Sequence, residues 1–264
     1  MHFTKMNGLG NDYIFIDCTE KTVELTQNQI VALCDRHFGI GGDGIVLITR
    51  SPNADFGMII YNSDGSRAEM CGNALRCLAK YAYNNKLTRD KYLKIETDGG
   101  MRFVKLNSDG TVTANMRKPK SDFELIGIQL DTLVQGYKVN TGNPHFVVFG
   151  TAIDACFNEY AEKLSNKTDF FPARTNVEFA KIFTSDNSAL VRVYERGSGE
   201  TLACGTGATA VFETAYKFGY LKDNATITLK GGSLSLSHNS KGEVLVTGDA
   251  EFNYEGRTEL LNYG

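Results

Sequence analysis

Two stretches of this chain are built alike: Met70-Cys71-Gly72-Asn73-Ala74-Leu75-Arg76-Cys77 and Ala203-Cys204-Gly205-Thr206-Gly207-Ala208-Thr209-Ala210. Each sets a cysteine and a glycine ahead of an apolar, alanine-rich run of helical character. The surroundings repeat as well. Asn11 precedes Cys71 by 60 residues and Asn143 precedes Cys204 by 61. Each Asn opens an aromatic and β-branched run, Asp12-Tyr13-Ile14-Phe15-Ile16 and Pro144-His145-Phe146-Val147-Val148-Phe149. Tyr61 and Tyr194 each lie 10 residues before their cysteine, and Gly99-Gly100 and Gly231-Gly232 follow at 28 and 27. Asn107 and Asn239 each come 7 residues after the second glycine. Landmarks that keep order and spacing this closely imply two homologous halves, and any fold for the chain must accommodate a duplication.

Periodicity fills in the halves. Strands are expected over 1–6 and 12–17 around an Asn7-Gly8-Leu9-Gly10 turn. A helix should open at the Thr26/Gln29 capping box, bury Ile30, Leu33, Cys34 and Phe38, and stop at Gly39. Gly39-Ile40-Gly41-Gly42-Asp43-Gly44 matches neither a phosphate loop nor a dinucleotide motif and precedes a strand, so it reads as a tight loop whose backbone could face a ligand. Strands at 56–61, 92–97, 101–106 and 111–116 flank a helix over 72–86 whose Leu75, Leu78, Ala79 and Ala82 form one face, broadened by Ala74 and Tyr81. A helix apolar on so many sides should be buried. The second half reads the same way, with strands at 137–141, 145–149, 177–182, 190–194, 225–229, 233–237 and 243–247. Its helices fall at 154–164 and from Cys204 to near Gly219. Lys118-Pro119-Lys120-Ser121-Asp122 is the linker candidate. The expected architecture is α/β (α+β), two pseudo-symmetric domains, each a mainly antiparallel sheet wrapped around a central buried helix. The expected division is 1–118, carrying Cys71, with a tail at 251–264 packing on it, and 119–250, carrying Cys204.

Composition narrows the function. A net charge of −3 gives no reason to expect nucleic acid or an anionic membrane as partner. No run approaches a membrane-spanning length. The chain enters its first motif without a signal-peptide core, so a cytoplasmic location with reduced thiols is expected. Six cysteines are too few for a disulfide scaffold in a chain of this size. Cys18, Cys34, Cys77 and Cys156 read as packing residues.

The chemistry lies in Cys71 and Cys204. A cysteine at a helix start meets free N–H groups and the positive end of the dipole, which lower a thiol pKa from about 8.5 to roughly 3.5–7.5. Two helix starts could share the carboxylate of an α-amino acid. As the α-proton leaves, charge moves into that carboxylate and the N–H donors bind it more strongly. One thiolate removing the proton and one thiol returning it to the other face would epimerise the carbon. No metal cluster or pyridoxal-phosphate cradle is legible, so no cofactor is expected. A cysteine hydrolase using Cys204, His145 and Glu195 is the rival chemistry, and leaves Cys71 unexplained. A non-catalytic amino-acid binder would use the helix starts without needing thiols. Asn62, Asn176 and Arg196 read equally as turn or surface residues.

Asn7-Gly8-Leu9-Gly10-Asn11-Asp12, Cys71-Gly72-Asn73, Gly142-Asn143-Pro144-His145, Tyr194-Glu195-Arg196-Gly197 and Ala203-Cys204-Gly205-Thr206-Gly207 together resemble the diaminopimelate epimerases, over nearly the whole chain. Proline-type racemases share the paired cysteines but typically carry His where Asn73 stands. The resemblance implies a pyridoxal-independent epimerase interconverting LL- and meso-diaminopimelate for lysine and peptidoglycan precursors. It implies an active site between two domains, closure on substrate, and a homodimer. It makes Cys71 and Cys204 the acid–base pair and gives His145 and Glu195 the task of tuning them. Gly72, Asn73, Gly205 and Thr206 would hold the reacting carboxylate, and Asn11, Asn62, Asn143, Asn176, Glu195 and Arg196 the remaining polar groups. Two positions depart from the pattern. Gly44 stands where many members carry a ligand-contacting Gln, and Ala74 replaces a frequent Gly.

Overall fold

The computed structural model describes residues 1–120, 123–150 and 157–259. Ser121 and Asp122 of the linker candidate, and Cys156 with the first residues of the helix expected at 154–164, fall outside them. The chain divides into two compact units, residues 1–114 with 248–264, and residues 115–247.

The first unit begins with a hairpin, β1 (His2–Gly8) and β2 (Asn11–Asp17). Its two-residue turn, Leu9 and Gly10, has φ of 58° and 82°, the left-handed pair that matches strand twist. Helix α1 (Gln27–Cys34) follows, opened by the capping box: Thr26 accepts from the Gln29 amide while the Gln29 side chain accepts from the Thr26 amide. The chain continues through β3 (Gly44–Thr49), β4 (Phe56–Asn62), the short β5 (Arg67–Ala68), α2 (Gly72–Asn84), β6 (Tyr92–Thr97), β7 (Arg102–Leu106) and β8 (Val112–Arg117). The second unit runs β9 (Glu124–Gln129), β10 (Leu133–Asn140), β11 (Pro144–Phe149), α3 (Phe157–Ser165), β12 (Asn176–Phe183), β13 (Ser188–Glu195), β14 (Gly199–Thr201), α4 (Gly205–Lys217), β15 (Ala225–Leu229), β16 (Gly232–His238) and β17 (Val244–Gly248). The last strand, β18 (Glu251–Arg257), belongs to the first unit and pairs antiparallel with β1.

Strand pairing shows the duplication directly. The first unit has the order β18-β1-β2-β3-β4-β6-β7-β8, antiparallel except at β2·β3 and β4·β6. The second has β9-β10-β11-β12-β13-β15-β16-β17, antiparallel except at β11·β12 and β13·β15. The parallel pairs fall at the same places because each needs a crossover, and helices supply it: α1 and α2 in one unit, α3 and α4 in the other. The C-terminal strand β18 holds in the first sheet the position that β9 holds in the second.

Each sheet curls around its second helix. Helix α2 packs on β1 and β2 and also on β7, four places away in the strand order. Helix α4 packs on β10, β11 and β12 and also on β15 and β16. The middle of α2 is buried almost all round, Ala74 to Ala79 without interruption. The outer helices cover the opposite faces. Ile30, Leu33 and Cys34 of α1 join Ile14, Ile16, Ile45 and Leu47 in one core, and Phe157, Ala161 and Leu164 of α3 join Phe146, Val148, Val177 and Phe179 in the other.

Local expectations fail in a few places. Helix α1 ends at Cys34, and Phe38 lies beyond it, 86% exposed. Gly39 therefore does not stop the helix. The helix gives way at its C-cap residue, Asp35, whose amide donates to the Val31 carbonyl and whose carboxylate accepts from the His37 and Phe38 amides of the following turn. Strands β5, β9 and β14 lie outside the segments expected from periodicity, two being three residues or shorter and β9 mostly exposed.

Candidate active site

Both candidate cysteines are N-cap residues with extended backbone, Cys71 (φ −138°, ψ 124°) on α2 and Cys204 (φ −133°, ψ 111°) on α4. Gly72 and Gly205 are the first helical residues, so their N–H groups belong to the turn that lacks intrahelical acceptors.

In the first unit, Asn11 at the head of β2 braces this turn. Its Oδ1 accepts from Asn73 Nδ2 at 3.0 Å and lies 3.6 Å from the Cys71 sulfur. Its Nδ2 donates to Asp43 at 2.8 Å, and Asp43 also accepts from the Asp12 amide at 3.0 Å. Arg36 bridges Asp12 and Asp43, and Lys5, almost fully buried, completes the group at 2.7 Å from Asp12. Burial works against the Asp12 charge, but hydrogen bonds from Arg36 and Lys5 outweigh it and bring the carboxyl down to about 2. This network anchors the glycine-rich loop, since Lys5 also donates to the Gly41 carbonyl. Asn62, at the end of β4, is exposed and turns its amide to Ser66 at 2.9 Å. Gly44 pairs with Asn62 across β3 and β4. A Cβ at Gly44 would lie 2.2 Å from the Tyr61 carbonyl and 3.0 Å from the Tyr13 ring, so the strand spacing itself excludes a side chain there.

In the second unit, Asn143 takes the place of Asn11. Its Nδ2 faces the Thr206 hydroxyl at 3.5 Å, a long contact, and its Oδ1 lies 3.0 Å from His145 Nε2. His145 Nδ1 meets Glu178 Oε1 at 2.7 Å, with both side chains fully buried. The Cys204 sulfur accepts from the Gly207 amide and lies against the Thr206 hydroxyl, each at 3.4 Å. Glu195 touches Cys204, and its Oε1 accepts from the Thr201 hydroxyl at 2.7 Å. Burial pushes the Glu195 carboxyl up, more than Thr201, His145 and Cys204 pull it down. Asn176 and Arg196 come together through the backbone, the Arg196 amide donating to Asn176 Oδ1 at 3.0 Å. The Arg196 guanidinium is exposed and donates to the Ala173 carbonyl at 2.8 Å.

The structure overturns one electrostatic expectation. The Cys204 thiol is not lowered by its helix. Burial comes first, and the Glu195 and Glu178 carboxylates add to it, raising the thiol well above its ordinary value against the pull of Thr206 and the Gly207 amide. A helix end offers only a fraction of a charge, so two carboxylates in a dry site outweigh it. The hydrolase reading also loses its geometry. Both ring nitrogens of His145 are engaged, by Glu178 and Asn143, and neither turns to Cys204.

Sequence reading missed Glu178, Arg76, Asp43 and Thr201. Glu178 carried a signal: it is the acid in the otherwise apolar run Val177-Glu178-Phe179-Ala180. Arg76 carried a similar one, standing among the apolar residues of α2.

The duplicated α/β fold, a curled sheet around a buried helix in each unit, is one that solved structures named as a racemase, an epimerase and PhzF-family proteins share. The probable proline racemase of Agrobacterium radiobacter K84 shares the fold at a TM-score of 0.76 and 15% identity, over 99% of this chain and 94% of that one. The chain belongs to the diaminopimelate epimerase family, an isomerase family, whose sequence profile matches residues 3–121 and 137–253. The diaminopimelate epimerase of Acetivibrio thermocellus is 40% identical over 98% of this chain and 99% of its own. That of Pelotomaculum thermopropionicum is 39% identical over 97% and 98%.

Proposed function

We propose that this protein interconverts LL- and meso-diaminopimelate by proton transfer at one α-carbon, with Cys71 and Cys204 as the two acid–base groups and no cofactor. One observation carries the reading: a cysteine is the N-cap residue of the buried helix in each unit, and each helix start is braced by an Asn at the head of the neighbouring strand, Asn11 or Asn143. A carboxylate held by the first-turn amides of Gly72, Asn73, Gly205 and Thr206 would gain most when the α-carbanion forms. One sulfur then takes the α-proton as thiolate, and the other, as thiol, delivers a proton to the opposite face. His145, on Glu178, and Glu195, on Cys204, set the protonation of the pair. Asn11, Asn62, Asn143, Asn176, Glu195 and Arg196 bind the distal ammonium and carboxylate, with Arg196 suited to a bidentate grip. The protein is proposed to work in the cytoplasm as a homodimer, each chain of which carries both halves of the duplication.

The test is solvent-deuterium exchange at the α-carbon, with LL-diaminopimelate and proline run side by side. Exchange with the first alone is expected. Cys71→Ala and Cys204→Ala should each abolish epimerisation with folding intact. Near-normal turnover by either variant rejects the two-thiol scheme. Exchange with proline alone reassigns the substrate.

A further inference from the structure

The duplicated units differ in charge at two places that matter to their thiols. The first is on the helix. Arg76 of α2 corresponds to Thr209 of α4, each 5 residues after its cysteine. Thr209 is neutral and turns its hydroxyl back on the Gly205 carbonyl at 2.8 Å. Arg76 is fully buried. Its guanidinium donates to Asn73 Oδ1 at 2.8 Å, the Asp249 carbonyl at 3.2 Å and the Gly72 carbonyl at 3.4 Å, all neutral acceptors. Gly8 of β1 makes the room, since a Cβ there would come within 3.2 Å of Nη2. The second place is in the sheet. Phe15 pairs with Val46 in β2·β3, and the matching pair in β11·β12 is Val147 with Glu178. An apolar residue in the first unit thus stands where the second carries a buried carboxylate beside its helix start.

Both differences act in the same sense. The first-unit thiol has a buried cation one turn behind it and no acid at the sheet position. The second-unit thiol has Glu195 and Glu178. We propose that Arg76 is a positioning residue of the reaction proposed above, whose guanidinium holds Cys71, rather than Cys204, as the thiolate of the resting protein. A guanidinium stays charged in a protein, and a buried charge without a counter-charge is costly. The Cys71 thiolate supplies one. The other ionisable groups acting on Arg76 are Cys77 and Asp249. Burial pushes the Cys77 thiol up to about 12, which leaves it neutral at pH 7, and Asp249 is exposed, so its carboxylate acts through solvent. Lys80 and the Glu251 backbone face Cys77 rather than Arg76. Arg76 also orients Asn73, whose Nδ2 reaches the Asn11 oxygen next to the Cys71 sulfur. A resting protein with one thiolate and one thiol is poised for one stereoisomer and must exchange the proton between sulfurs before it accepts the other.

The experiment is iodoacetamide alkylation of the full-length protein across pH, with each cysteine read by mass spectrometry. Alkylation follows the thiolate. Cys71 should reach half its maximal rate at least about one pH unit below Cys204. Arg76→Met, similar in length and neutral, should raise the Cys71 midpoint by about one unit or more and slow its alkylation near neutrality about tenfold. The Cys204 midpoint should stay in place. Arg76→Lys should give a Cys71 midpoint between those of the wild type and Arg76→Met, because a buried ammonium is shorter and gives up its proton more readily than a guanidinium. A wild-type protein in which Cys204 reacts at the lower pH overturns the proposal. So does a folded Arg76→Met protein with an unmoved Cys71 midpoint. If that variant does not fold by circular dichroism, the wild-type order and the Arg76→Lys midpoint still decide. Alkylation needs no turnover, so absence of deuterium exchange in the wild type would reject the epimerase reading separately.

Discussion

Replacing Glu178 by alanine should be the most damaging single change in the second unit outside its apolar core. Its carboxylate and the His145 ring are both fully buried and 2.7 Å apart. Truncation leaves a buried hydrogen-bonding group unsatisfied and a cavity where the side chain stood, at a combined cost of about 3–5 kcal/mol. For a protein of this size that corresponds to a fall in Tm of roughly 6–20 °C. Glu178→Gln separates charge from shape. The amide oxygen still accepts from Nδ1, and its NH2 can take the place of Oε2, which has no hydrogen-bond partner. Only the difference between a charge-assisted and a neutral hydrogen bond is lost, about 1 kcal/mol. Urea unfolding at pH 7, followed by circular dichroism with the m-value checked for each variant, should therefore place Glu178→Gln near the wild type and Glu178→Ala far below it. A Glu178→Ala protein within about 1 kcal/mol of the wild type, or two variants of equal stability, would refute the reading of Glu178 and His145 as a desolvated hydrogen-bonded pair.

Two further outcomes follow from the first unit. The Asp12 carboxyl is lowered from 3.8 to about 2, so its contribution to stability is fully present above pH 4 and is lost as pH falls through 2. At neutral pH that contribution is about 2 kcal/mol, and the stability gap between Asp12→Asn and the wild type should narrow steadily below pH 4 in urea titrations. A gap independent of pH would show that the cost is steric. Gly44→Gln should destabilise by about 1–3 kcal/mol or more, because its Cβ meets the Tyr61 carbonyl. Thermal unfolding no lower than wild type would show that β3 and β4 can separate at that point.

The duplication, the buried helices and the two cysteines were legible because they are local or periodic. Cys71-Gly72 and Cys204-Gly205 announce helix starts, Thr26 and Gln29 form their capping box within four residues, and alternation marks the central strands. Phe38 misled because its helical phase is right although the helix has already ended, and a turn held by the Asp35 carboxylate leaves little trace in hydrophobic pattern.

What the chain order alone determined is that there are two copies of one plan and that a thiol heads the central helix of each. What only the tertiary structure decided is the charge around those thiols. Glu178 reaches His145 across parallel strands, Arg76 is sealed beneath Gly8, and β18 closes the first sheet from the far end of the chain. Electrostatic effects depend on distance and burial, and neither can be read from spacing along a chain, so near-identical motifs place one sulfur by a cation and the other by two carboxylates.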